Sequence, residues 1–272
     1  MARRDYRKYL ANSVLAATAV LCAAGARLAP ERQHDGPVVA TASSFIGRKY
    51  LFGDSAAARP ASVLTAEVTN ALGALAGGVR QVSHPQALGD AFRSYFAYRA
   101  AHPDAKPYLY FVDYGLPSTM PRGYVFDMDS LRVVEGPFAV AHGRGSSAAQ
   151  YGVPTRFSDA SGSEATSLGL YVAQELYPFR GRVGGHAYSS VGLRLMGLSD
   201  GYNDNARARR VVAHGAPYVT DVVAGRSEGC PALEPSRAAR LLPKLANGGL
   251  VFLFAPDQTW MSGDPWLTEH AG

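Results

Sequence analysis

Cysteine is almost missing from this chain: 272 residues contain two, and one of them, Cys22, sits in an apolar N-terminal stretch that reads as an export leader. A mature chain left with Cys230 alone has no internal disulfide, so that sulfur pairs elsewhere, stays inert or acts as a nucleophile. Charge is sparse too, at 18% of residues, and no Lys/Arg run or aromatic-basic interleaving marks a nucleic-acid surface. No apolar run reaches the roughly 20 residues of a comfortable membrane span. There is no repeated unit, no phosphate-cradling glycine loop and no zinc-type ligand spacing, so neither a cofactor nor a metal is implied.

What is present begins with the leader. Arg3, Arg4, Arg7 and Lys8 precede an apolar stretch over 14–26 that ends in Ala24-Gly25-Ala26, the three-part pattern of a signal peptide. The alternative is an uncleaved N-terminal anchor; otherwise the membrane is met only during export. Loss of residues 1–26 removes four basic groups and one acidic group, so the formal charge of +5 falls to +2. The basic balance therefore says little about partners, and the expected location is the periplasm or cell envelope.

Composition shifts divide the rest. Residues 27–61, rich in Ala, Arg, Pro and Gly, read as linker. Residues 62–106 read as a helical accessory segment, with helices over 62–75 and 85–101. In the second, Leu88, Ala91, Phe92, Tyr95 and Tyr98 form a stripe that suits packing. From 107 to 256 short β-like runs appear at 108–114, 124–128, 131–141, 167–173, 191–198, 210–214 and 250–254, punctuated by Gly, Pro, Asp and Ser. This spacing predicts a mainly β sandwich or barrel, interrupted by one helix over 235–246. Residues 257–272 read as a C-terminal tail.

The chemistry centres on Cys230 in Gly225-Arg226-Ser227-Glu228-Gly229-Cys230-Pro231. His214 closes the strand-like run Arg210-Val211-Val212-Ala213, a place from which a turn aims it at Cys230. The separation requires tertiary proximity, as in most cysteine/histidine sites. Gly229 allows close backbone approach to a substrate, and the N–H groups of Gly229 and Cys230 are candidate oxyanion donors. A buried, inert cysteine is the competing reading.

His214-Gly215 followed by Ser227-Glu228-Gly229-Cys230 resembles the signature of the L,D-transpeptidase (YkuD-like) catalytic domain. The match is closest to a divergent branch with Gly-Arg-Ser-x-Gly-Cys-Pro. Similar runs are Phe111-Val112-Asp113-Tyr114, Ala141-His142-Gly143-Arg144-Gly145-Ser146, Thr166-Ser167-Leu168-Gly169-Leu170-Tyr171 and Gly201-Tyr202-Asn203-Asp204-Asn205-Ala206-Arg207. The resemblance implies an L,D-transpeptidase-like β-sandwich or barrel over 107–256 that acts on peptidoglycan stem peptides, both donor and acceptor. It implies a thioester at Cys230, His214 as base, Ser227 near His214 or bracing the loop, and carbapenems as acylating agents. Cross-links of 3-3 or 1-3 type, L,D-carboxypeptidase or hydrolase activity, and a non-catalytic wall-binding domain all stay open. A generic cysteine protease is disfavoured, because the papain-like and caspase-like local signatures are absent.

Arg226 is a candidate for binding a stem carboxylate or for pinning the loop. His142 and Arg144 are candidates for lining the cleft, and His186 stands in a glycine-rich run that reads as a substrate-facing loop. Many family members have histidine two residues before the cysteine, where this chain has Glu228. That carboxylate faces solvent, orients His214 or contacts an amine.

Overall fold

The computed structural model describes residues 61–268; the expected leader (1–26) and the linker (27–61) up to its final residue lie outside the described residues. Helix α1 (Ala61–Leu75) buries Val68, Ala71 and Leu75, and α2 (Ala87–Ala101) buries the stripe from Leu88 to Tyr98 foreseen in the sequence. These spacings of three and four place each apolar set on one helical face. The α2 face meets the sheet, where Phe92 packs edge-on against Phe126 with ring centroids 5.5 Å apart. The helix stops at His102, whose N–H reaches Tyr98 O, just before Pro103.

The remainder is mainly β. Strands β1 (Tyr108–Asp113), β2 (Gly123–Asp127) and β3 (Arg132–Phe138) form an antiparallel meander. They are followed by the short β4 (His142–Gly143), the long β5 (Gly169–Val183) and β6 (His186–Gly197), then β7 (Val212–Gly215), β8 (Arg226–Ser227) and β9 (Ala232–Leu233). Helix α3 (Pro235–Leu245) leads into β10 (Leu250–Phe254). Eight strands form one sheet in the order β3-β2-β1-β10-β5-β6-β7-β9, and β4 pairs with β8 in a separate parallel ribbon.

The centre of the sheet is explained by β10. Its run Leu-Val-Phe-Leu-Phe has no polar position and all five residues are buried, as expected for a strand covered on both faces. It pairs parallel with β1 and antiparallel with β5. Helix α3 starts where the Glu234 carboxylate accepts the N–H groups of Ser236 and Arg237, with Pro235 in the first turn, and it buries Ala238, Leu241, Leu242 and Leu245.

Two features exceed the sequence expectation. Strands β5 and β6 are much longer than the runs at 167–173 and 191–198, because they continue as a hairpin whose two-residue turn is Gly184-Gly185, both at positive φ. The segment read as a tail forms α4 (Gln258–Gly263) and α5 (Pro265–Thr268), which bury Trp260, Trp266 and Leu267 in the main core. Among the described residues no helix is long and apolar enough to cross a membrane.

Candidate active site

Strand pairing brings the two candidate catalytic residues to one edge of the sheet. β9 runs parallel to β7 with His214 opposite Ala232, so the residues just before β9 lie alongside the start of β7. The Val212 N–H is hydrogen-bonded to the Cys230 thiol. Val212 and His214, two apart on β7, leave the strand on the same face. A cysteine and a histidine sixteen residues apart in sequence thus share one strand edge.

His214 is buried, and its Nδ1 lies 3.0 Å from Gly215 O. A carbonyl only accepts, so Nδ1 carries the proton and Nε2 is left with its lone pair. One ring face lies on Phe179, with centroids 4.0 Å apart and planes 17° apart. Gly192 makes this stack possible: it pairs with both Tyr177 and His214, and a Cβ there would sit 2.7 Å from the Tyr177 ring and 3.1 Å from Phe179 Cβ. Burial pulls the imidazole down to about 4, against the opposing pull of the Gly215 bond.

Cys230 is half-buried and free. Burial pushes its thiol up to about 11; the Val212 N–H and Arg209 favour the anion, and Glu228 opposes it. Both shifts favour neutral partners, a protonated thiol beside an unprotonated imidazole. At rest the site therefore holds a thiol and a neutral imidazole and does not store a thiolate.

Ser227 braces the turn. Its Oγ donates to Cys230 O at 2.7 Å and accepts from Gly229 N at 3.2 Å. The Gly229 N–H is therefore already engaged, contrary to the expectation that it serves an oxyanion, and the Cys230 N–H is the remaining donor of that pair. Gly229 has a different task. Its φ is +115°, and a Cβ would fall 2.8 Å from Ala165 O; only glycine fits without strain.

The candidate substrate-binding residues separate. Arg226 donates from Nη1 to Ser147 O at 3.1 Å, so part of its fork pins the 147–148 backbone. Arg144 forms a forked pair with Glu164 and lies 3.6 Å from Glu228, leaving this arginine exposed between two carboxylates. Glu228 itself is largely exposed. His142 is fully buried and offers no surface to a peptide in this conformation. Its Nδ1 accepts from Arg122 Nη2 at 2.9 Å, so the proton of the neutral ring is on Nε2, a buried atom with no hydrogen-bond partner. Arg122, also fully buried, further grips Val140 O and Leu116 O. His186 is exposed beside the hairpin turn, six residues along β6 from Gly192, roughly 20 Å at the usual strand rise.

Four tyrosines surround the thiol, of which only Tyr114 stood in one of the motif runs. Tyr114, Tyr177, Tyr188 and Tyr218 all lie close enough to Cys230 to feel its charge. They come from four different parts of the chain and converge only through the sheet. The other motif runs prove to be scaffold. Asp113 accepts from Ser83 and Gly115, Tyr114 donates to Ala141 O, and Asn203 donates to Leu168 O and Leu170 O. Among the described residues no group of three or more His, Cys, Asp or Glu side chains is placed to hold a metal ion.

The domain is mainly β, with His214 on β7 and Cys230 in the turn that enters the adjoining β9, and the family comparison agrees with the fold. Residues 80–254 match the model of the L,D-transpeptidase catalytic domain of YkuD type, and the chain belongs to that family. The match starts before α2, so it takes in part of the segment read as accessory. Among solved structures, an L,D-transpeptidase from Mycobacterium smegmatis is similar at 14% identity with a TM-score of 0.34, over 55% of this chain and 59% of that one. Bd1075 of Bdellovibrio bacteriovorus is similar at 13% identity and TM-score 0.34, over 56% and 49%. An L,D-transpeptidase from Xylanimonas cellulosilytica gives 16% and 0.30, over 68% and 77%. The chain thus spans about half to three-fifths of the first two structures. No curated protein matches the sequence.

Proposed function

We propose that this chain is a cysteine-dependent peptidoglycan L,D-transpeptidase, with Cys230 as nucleophile and His214 as base. The observation that carries this reading is the fixed tautomer of His214: Nδ1–H is held by Gly215 O, so Nε2 is free to take a proton. In the proposed reaction, His214 Nε2 removes the Cys230 thiol proton as sulfur attacks the carbonyl at the L-centre of a diaminopimelate residue in a donor stem. The Cys230 N–H donates to the oxyanion. The tetrahedral adduct collapses to a thioester, and D-alanine leaves with the proton carried by His214. The amine of an acceptor stem then attacks the thioester, loses a proton to His214 and releases Cys230 as its thiol. An export leader at 1–26 would deliver the site to the cell envelope, where such stems are found.

The test is incubation of purified protein and its Cys230→Ala variant with disaccharide-tetrapeptide muropeptides, read by mass spectrometry with fragmentation. Cysteine-dependent dimers lacking one D-alanine are expected, and the fragments assign the 3-3 or 1-3 linkage. Tripeptide monomers alone would replace the reading with an L,D-carboxypeptidase. Equal turnover by a folded Cys230→Ala protein would overturn it.

A further inference from the structure

The group that packs behind the Gly229-Cys230 turn is Arg209, which lies in no catalytic motif. Its side chain is 6% exposed and is paired with Asp159, 7% exposed, at 3.0 Å. All five polar contacts of the guanidinium fall on one short segment. Nη1 donates to Ser158 O at 2.9 Å, to Asp159 Oδ1 and to Ser167 Oγ at 3.3 Å; Nη2 donates to Ser163 Oγ at 3.2 Å and to Ala165 O at 2.7 Å. Asp159 is held from its other side by the Asn205 N–H at 2.6 Å.

This grip reaches the candidate nucleophile through two atoms. A Cβ built on Gly229 would meet Ala165 O at 2.8 Å and Arg209 Nη2 at 3.4 Å. Those are the acceptor and donor of one 2.7 Å hydrogen bond, so the left-handed Gly229 rests against the Arg209–Ala165 contact itself. We propose that Arg209 is a positioning residue for Cys230: with Asp159 it fixes the surface on which Gly229 turns, and it supplies a fixed positive charge close to the thiol.

The inference rests on the transpeptidase reading for its purpose, though its test reads the thiol directly. A fixed, planar fork is required, because lysine could not hold carbonyls at 158 and 165 together with Asp159. The buried pair also keeps the cation from being quenched by solvent. Other groups act on Cys230: Glu228 on its own turn, Tyr177 on β5, Tyr188 on β6, and Tyr114 and Tyr218 after β1 and β7, while His214 stands on the adjoining β7. Burial pushes the tyrosines up and pulls His214 down, so these five are neutral near neutral pH. Arg209 is thus the cation that favours the thiolate, and Glu228 the anion that opposes it.

The test is the pH profile of Cys230 alkylation by iodoacetamide on the native full chain, followed by intact mass, with transpeptidation measured in parallel. Arg209→Met alone strands a buried carboxylate and risks the fold, so the informative variant is Asp159→Leu with Arg209→Met, which removes both charges while keeping the volume apolar. The expected result is an alkylation midpoint about one pH unit higher, a roughly tenfold slower reaction at fixed pH. Arg209→Lys, which keeps the charge, should hold the midpoint but lower kcat. An unchanged midpoint and kcat in the folded paired variant would overturn the role of Arg209. A wild-type thiol that resists alkylation at every pH would instead overturn the transpeptidase reading.

Discussion

The ring of Phe179 lies flat against His214, with centroids 4.0 Å apart and planes inclined by 17°. Phe179 comes from the part of the β5–β6 hairpin that extends beyond the predicted strands, and it reaches the imidazole across Gly192, which has no side chain to intervene. Stacking covers one ring face and the Gly215 carbonyl fixes the ring edge, so His214 has little freedom to turn.

Loss of that cover should be visible in both electrostatics and rate. Phe179→Ala admits water to the ring and is expected to raise the His214 pKa from about 4 toward 6.5, because burial is the cause of the depression. NMR titration of the imidazole Cε1 proton checks this. The lost stacking and packing should cost about 3 kcal/mol or less at this partly covered site, and kcat/KM should fall about tenfold as the base loses orientation.

Gly229→Ala should damage the site more than its size suggests. The new Cβ meets Ala165 O at 2.8 Å while φ is +115°, a conformation that costs a non-glycine residue about 1–3 kcal/mol. Thermal unfolding should show a drop of several degrees, and the displaced Cys230 should lose at least tenfold in acylation rate.

Stability should fall as the solution is acidified below pH 6.5. His214 and His142 have folded-state values lowered to about 4 and about 3, by burial in both cases and also by Arg122 and Arg226 for His142. Between 6.5 and those values the unfolded chain binds protons that the folded chain refuses, so the stability present above 6.5 is lost as pH falls. His142→Asn keeps an acceptor for Arg122 while removing one titration. It is expected to reduce the pH slope by up to about 1.4 kcal/mol per unit. Urea unfolding at pH 7, 6 and 5 reads the difference.

The segment after β10 is expected to be indispensable. Removing residues 257–272 strips Trp260 and Trp266 from the core, where Trp260 packs against Phe252 and Phe254 and donates to Asp264. Truncating one buried tryptophan typically costs about 3–5 kcal/mol, so loss of both should leave no cooperative unfolding transition by circular dichroism.

The parts legible from sequence were those in which local pattern and burial agree. The stripe on α2, the fully apolar β10 and the capped α3 each announce themselves through spacing or end residues. The hairpin does not: from Gln174 to Val183 most positions remain partly or fully exposed, so the run lacks the apolar content by which a strand is recognised. Trp260 and Trp266 sit in helices of six and four residues, too short to establish a period. At the site, Cys230 and His214 stand out because their residue types carry chemistry. Arg209 and Phe179 matter through what they touch, and those contacts are set by register between strands distant in sequence. Gly229 was recognised as a point of close approach, but the partners, Ala165 and Arg209, belong to the tertiary structure.

The burial that holds the Cys230 thiol near 11 also bears on durability. Peroxide and disulfides react with the thiolate, and at neutral pH almost none of it is present. An unoccupied site is therefore shielded from sulfenic acid formation by the same desolvation that delays its ionisation. With no second cysteine beyond the N-terminal stretch to reduce an oxidised sulfur by internal exchange, slow oxidation at rest is the protection this chain carries within its own fold.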